Sequence, residues 1–270
     1  MERIIAVNSN CYHKYPIEDA IEGIARAGFR YVELTATKGW TEHVFPSMDF
    51  SYLCSVRRRL KDAGLASFAM SGHTNLMDPA RAGDFLDIIQ LSAFFGCGYI
   101  VSSVGEAHLA DRASASDEEA AARISALLPC LREYGLALAL EIHGEHGSGR
   151  RMSGIVDMVG SPLVKINYDT ANAIFYGGVD LADDIDACAG RIGFMHLKDK
   201  AGERKEWNFP ALGRGCVDFP MIFKKLEEHG NRCPLSIEIE FGPDGSRDIG
   251  EADEAVRCSR EYLESVGMAV

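Results

Sequence analysis

Eight short apolar runs of strand-like composition recur along the chain, at residues 4–7, 31–34, 66–70, 99–101, 137–141, 164–168, 192–196 and 235–239, and nothing else in the sequence restricts the fold as much. Successive runs begin 27 to 43 residues apart, the room that one strand, one helix and two loops require. Helical stripes fill most of the gaps. Ile17, Ile21, Ile24 and Ala25 fall at i, i+4, i+7 and i+8, with Gly28 where a C-terminal cap would sit. Ile124, Leu127, Leu128 and Leu131 repeat the stripe before Gly135, and Phe219, Ile222, Phe223 and Leu226 repeat it before Gly230. Ala255, Cys258, Tyr262 and Val266 predict a closing helix. Strict alternation implies parallel strands joined by right-handed crossovers. An open sheet built to hold a dinucleotide would carry G-x-G-x-x-G after an early strand, and that pattern is missing from the sequence. Eight repeats in 270 residues instead predict one α/β domain over residues 1–270, a single (β/α)8 TIM barrel. Residues 111–122 read as a solvated loop and a helix start.

Composition then narrows the function classes. A formal charge of −12 surrounds the molecule with a negative field, which repels phosphate backbones and anionic lipid and so argues against nucleic-acid and membrane partners. No stretch approaches the ~18 apolar residues of a membrane span. The N-terminus turns polar too early for a secretory leader, so a cytoplasmic protein is expected. The eight cysteines form no C-x-x-C, and their closest two are 17 residues apart, which predicts reduced thiols rather than a disulfide frame or zinc cluster.

In such a barrel the chemistry lies at the C-terminal ends of the strands. Each of the last four runs has an ionisable residue at or next to its C-terminal end: Glu141 in Leu-Ala-Leu-Glu-Ile-His, Asp169 in Asn-Tyr-Asp-Thr-Ala-Asn, His196 in Phe-Met-His-Leu-Lys-Asp and Glu238 in Leu-Ser-Ile-Glu-Ile-Glu. A lone charge in a partly desolvated barrel mouth is costly, whereas one shared cation accounts for all four. Three carboxylates and one imidazole make an oxygen-rich set that favours Mn²⁺, Mg²⁺ or Co²⁺, with Zn²⁺ still compatible. Glu240 shares a strand face with Glu238, so a register difference would exchange them; Glu238 is preferred because it lies nearer the apolar run. By the same parity His143 is a candidate to bind a substrate hydroxyl, and Lys198 to hold an oxyanion or phosphate. His73 and Glu33 point towards the same pocket, and the Gly213-Arg214-Gly215 loop is placed to close over a ligand, with Trp207 nearby to stack on it. Each has a structural reading beside the chemical one: Lys198 an ion pair with Asp199 or Glu238, Glu33 a barrel-mouth salt bridge, the glycine loop an ordinary turn. Met70, Met77, Phe94 and Phe95 are assigned to core or wall.

With Asn-Tyr-Asp-Thr-Ala-Asn, His-Leu-Lys-Asp-Lys, Leu-Gly-Arg-Gly-Cys-Val-Asp-Phe-Pro and Leu-Ser-Ile-Glu-Ile-Glu in this order, the sequence resembles the sugar phosphate isomerase/epimerase family. These are xylose isomerase-like TIM barrels that include ketose 3-epimerases and inosose dehydratases. The likeness covers essentially the whole chain and implies that Glu141, Asp169, His196 and Glu238 are the metal ligands. Asn172 departs from the pattern, because many members carry a histidine three residues after the ligand aspartate.

The expected activity is a metal-dependent isomerase or epimerase of a small sugar, ketose or sugar phosphate. A proton is removed next to a carbonyl, a Lewis acid stabilises the enediolate, and Glu141 and Glu238 serve its two faces. An inosose-type dehydratase, a lyase, begins with the same step. A non-catalytic sugar-binding barrel is a third reading. An apurinic-site endonuclease is a fourth, opposed by Asn172, by Lys198 and by the −12 charge. The partner is a sugar or polyol, and a homo-oligomer stays open.

Overall fold

The computed structural model describes residues 3–105 and 115–270. Its strands are β1 (Ile5–Asn8), β2 (Tyr31–Thr37), β3 (Thr41–Glu42), β4 (Ala66–Ser71), β5 (Tyr99–Ser103), β6 (Ala137–Glu141), β7 (Val164–Asp169), β8 (Ile192–Leu197) and β9 (Leu235–Ile237). Apart from β3, a two-residue antiparallel addition to β2, every strand pairs parallel with its neighbours, and β1 bonds both β2 and β9. The ring therefore closes as an eight-stranded parallel barrel with helices between strands, the predicted (β/α)8 TIM fold.

The helices are α1 (Ile17–Arg26), α2 (Phe50–Asp62), α3 (Ala82–Phe95), α4 (Asp117–Tyr134), α5 (Gly149–Val159), α6 (Thr170–Asn172), α7 (Leu181–Cys188), α8 (Phe219–Glu228) and α9 (Ile249–Ser265). Their local causes are visible in α4. Ser116 and Glu119 form a reciprocal capping box, Ile124, Leu127 and Leu131 turn inward, and Gly135 ends the helix at φ 69°, a conformation a side chain would resist. Of residues 111–122, which were expected to be a loop and helix start, 111–114 lie outside the described residues, and the helix begins at Asp117. Among the described residues no helix is long and apolar enough to cross a membrane, and all eight cysteines are unpaired.

Two register shifts set the barrel interior. Ile166 pairs with Ile192, but Asn167 pairs with Phe194 and Asp169 with His196. The same slip occurs in β2 and β4, where Val32 pairs with Ser67 but Glu33 with Ala69. Directly opposed residues share a sheet face, so each one-residue slip changes which face the following residues present. In β8 the slip passes over Gly193, so that Phe194 and His196 share the inner side with Asn167 and Asp169 of β7. Phe194, Ala69, Val101 and Ala139 fill the interior below, with Phe68 and Tyr99 packed against them. The Phe194 ring lies 5.7 Å from the His196 ring, edge to face, and floors the layer above.

Candidate metal centre

Above that floor, one ligand atom each from Glu141, Asp169, His196 and Glu238 lies within 4.8 Å of the others, and all four residues are buried. Glu141 and Asp169 are the last residues of β6 and β7, His196 is next to last in β8, and Glu238 directly follows β9. The backbone N–H of Glu238 still bonds the Leu197 carbonyl, which continues the ladder by one residue. Cys11 braces the same point: its Sγ donates to the Ile237 carbonyl at 3.6 Å and accepts from the Ile239 N–H at 3.2 Å, on either side of Glu238.

The imidazole of His196 is fixed from behind. Its Nε2 bonds both oxygens of the fully buried Glu33, at 3.0 and 3.1 Å. Its Nδ1 then faces Glu141 Oε1 at 2.7 Å, Glu238 Oε2 at 3.3 Å and Asp169 Oδ2 at 3.9 Å. The approach to Glu141 is short but not aligned as a hydrogen bond; Nδ1 and Asp169 Oδ2 are both buried without a hydrogen-bond partner. Orphaned acceptors converging on one point are the arrangement a cation stabilises, and the spacing matches ligands about 2.0–2.6 Å from one ion. The outer carboxylate oxygens are held separately. Asp169 Oδ1 accepts from the N–H groups of Ala171 and Asn172 at 2.9 and 2.8 Å. Glu141 Oε2 meets His73 Nε2 at 2.9 Å, with Ser71 Oγ on the other ring nitrogen. Glu238 Oε1 accepts from Asn8 and Asn10 Nδ2 at 3.1 and 3.4 Å.

Charge states follow from this packing. Burial raises Asp169, and the neighbouring charges of Glu141 and Glu238 raise it further; although Lys198 opposes them, its pKa stands well above the ordinary carboxylate value. Burial alone would also raise Glu141, but His73 and His196 outweigh it and hold the group well below that value. Burial would lower His196, yet the charges of Glu33 and Glu238 hold it well above an ordinary histidine. Lys198 is likewise kept cationic against burial by Glu238, Glu240 and Asp169.

A cleft opens over the cluster, lined by Glu141, Glu238, Glu240, Lys198, His73 and His143 together with Trp207, Asn172 and further polar and aromatic residues. His143 packs against Tyr176 at 4.4 Å, and Trp207 meets Trp40 edge to face at 6.5 Å. Glu240 is not among the four converging residues; Lys198 Nζ reaches it at 2.7 Å and Glu238 at 3.3 Å.

Two expected pocket residues lie elsewhere. Glu33 does not line the cavity; it lies behind His196, with both oxygens on the imidazole Nε2. Arg214 is also absent from the lining; its guanidinium is drawn to Cys258 and Glu254 on the flank of α9. Lys198 pairs with Glu238 and Glu240, while Asp199 is occupied by backbone N–H groups. Sequence reading missed Asn8, Asn10 and Asn167. Asn8 ends β1 and would have emerged had the strand-end rule been applied to the first run as to the last four. Trp40 sits in the turn between β2 and β3 and Tyr176 in a single π-helical turn (Ala173–Gly177), both too short to leave a periodic signal.

A family model described as a xylose isomerase-like TIM barrel matches residues 21–265. An L-ribulose 3-epimerase of Methylomonas sp. (strain DH-1) is 25% identical over 235 residues, 81% of this chain and 77% of that protein. An inosose dehydratase of Geobacillus kaustophilus (strain HTA426) is 27% identical over 150 residues, 49% of this chain and 47% of that protein, so the match spans about half of that relative. Among solved structures, a D-psicose 3-epimerase in the presence of D-fructose superposes with a TM-score of 0.79 at 17% identity, covering 98% of this chain and 100% of the other. A xylose isomerase-like barrel from Mycobacterium smegmatis in complex with magnesium gives 0.75 at 18% identity, covering 98% and 96%. These likenesses establish the fold.

Proposed function

We propose a function from one premise: the chain belongs to the xylose isomerase-like TIM barrel family. The reading is a divalent-metal-dependent epimerase or isomerase of a small sugar, working by proton transfer next to a carbonyl. One observation carries it. Glu141 and Glu238 reach a single cavity from strands separated by β7 and β8, each with one oxygen in the cluster and the other on different partners.

In this reading Glu141, Asp169, His196 and Glu238 hold the ion, with Mn²⁺, Mg²⁺ or Co²⁺ favoured by the three carboxylates and Zn²⁺ compatible. A bound divalent ion supplies Lewis acidity that makes the hydrogen beside a carbonyl removable. Glu141 takes the proton on one face, and Glu238 returns one on the other. His73 fixes the Oε2 of Glu141, and Asn8 and Asn10 fix the Oε1 of Glu238, so both bases are aimed before substrate arrives. The Lys198 ammonium stabilises a developing oxyanion, and His143 and Trp207 contact hydroxyls and the sugar face. Eight unpaired cysteines fit a reducing compartment such as the cytoplasm.

Lys198 also supports a second reading as an inosose-type dehydratase. After Glu141 removes the carbon-bound proton, the Lys198 ammonium protonates the departing hydroxide, a double bond forms and water leaves. A metal-replete assay in deuterated water over ketoses and inososes tests both. Deuterium beside the carbonyl without loss of water supports epimerisation or isomerisation, loss of water supports dehydration, and the absence of both refutes the proposal.

A further inference from the structure

We propose that the substrate of this site is an uncharged polyhydroxy ketone, open-chain or cyclic, and not a phosphate ester or carboxylate. The inference rests on the sugar reading above and concerns the charge of the molecule that enters. In this fold, phosphates are frequently held by the loops after the seventh and eighth barrel strands and by a helix N-terminus nearby. Here those loops follow β8 and β9, and carboxylates of the chain itself already fill both cradles.

After β8, Asp199 Oδ2 accepts from Gly215 N–H at 2.8 Å, and its Oδ1 accepts from Lys200 and Val217 N–H at 2.8 and 3.1 Å. Asp199 is fully buried, and a Cβ on Gly215 would lie 2.3 Å from its Oδ1, so the loop is moulded around this internal anion. The loop's cations are committed elsewhere: Lys200 Nζ donates to the carbonyls of Ala201 and Glu203, and Arg214 lies beside Cys258 and Glu254. After β9, the start of α9 is capped by Asp248, which accepts from Glu251 N–H at 2.9 Å, while Glu251 accepts from the Arg247 N–H and guanidinium. Within the cavity itself, Lys198 is the one lysine or arginine among the described lining residues, and Glu240, Glu238 and Asp169 surround it at 2.7, 3.3 and 3.8 Å. An anionic substrate group would displace one of these carboxylates or stand against it unpaired. Hydroxyls fit the Asn, Thr, Ser and Trp lining without that cost.

The test compares D-fructose with D-fructose 6-phosphate and D-ribulose with D-ribulose 5-phosphate on the metal-loaded protein, following deuterium uptake at C3 and calorimetric binding. Hydroxypyruvate serves as the carboxylate probe. The expected result is a kcat/KM at least about 100-fold higher for the free sugars, equivalent to about 2.8 kcal/mol, with tighter binding of the free sugars. Faster turnover or tighter binding of the phosphates or of hydroxypyruvate overturns the inference and leaves the reaction standing. If no compound turns over, the reaction assignment falls and binding alone decides: free sugars binding more tightly sustain the inference, and any other order, or no binding, ends it.

Discussion

Glu33→Gln is the most searching perturbation of the metal centre, because Glu33 does not line the cavity and reaches the cluster only through His196. Both its oxygens accept from His196 Nε2, at 3.0 and 3.1 Å, which orients the ring and leaves Nδ1, once deprotonated, to face an ion shared with the three carboxylates. Glutamine keeps the volume and one acceptor but removes the charge. Loss of such a supporting partner generally weakens metal affinity by about 10- to 100-fold, about 1.4 to 2.8 kcal/mol. The bare attraction between a unit charge and a divalent ion roughly 7 Å apart, about 4.7 kcal/mol at an effective dielectric constant of about 20, sets the ceiling. The assay is competition for Mn²⁺ against a fluorescent chelator, with the Tm of the metal-free protein as the control for folding. Glu33→Gln should weaken Mn²⁺ binding by about 10- to 100-fold and raise KM little at saturating metal. A change under about threefold in a variant with unchanged Tm would show that Glu33 does not set the ligand geometry, and the reasoning fails.

Metal-loaded Glu141→Gln and Glu238→Gln should each lose about 10² to 10⁴ in turnover, whereas His143→Ala should act mainly on KM. Wild-type exchange of the carbon-bound proton in either glutamine variant would reduce that glutamate to a ligand. In the ion-free protein the pKa values of His196 and Asp169 are both raised, and ligation requires both deprotonated, so metal affinity should climb with pH and binding should release protons. Calorimetry in buffers of different ionisation enthalpy reads that release, and its absence would refute the assigned charge states. Phe194→Ala, which empties the floor beneath His196, should cost about 3–5 kcal/mol in urea unfolding. A cost under about 1 kcal/mol would mean that the barrel interior does not depend on this ring.

The barrel was legible because its determinants are local. Strand spacing, helix stripes and caps such as Ser116 and Gly135 are written within a few residues of each other, and β6 was bounded to the residue. The four converging side chains were legible because a strand's inner face and C-terminal end are fixed by a period of two and by chain direction. Glu33, Arg214 and Asp199 were decided only by tertiary structure. Closure of the barrel set Glu33 behind His196 of a distant strand, the flank of α9 drew Arg214 outward, and the closed loop after β8 turned Asp199 onto backbone amides. Such contacts join residues far apart in sequence, as when Glu33 meets His196 across 163 positions, and register between distant strands is fixed by the packing of the whole barrel rather than by any stretch of chain.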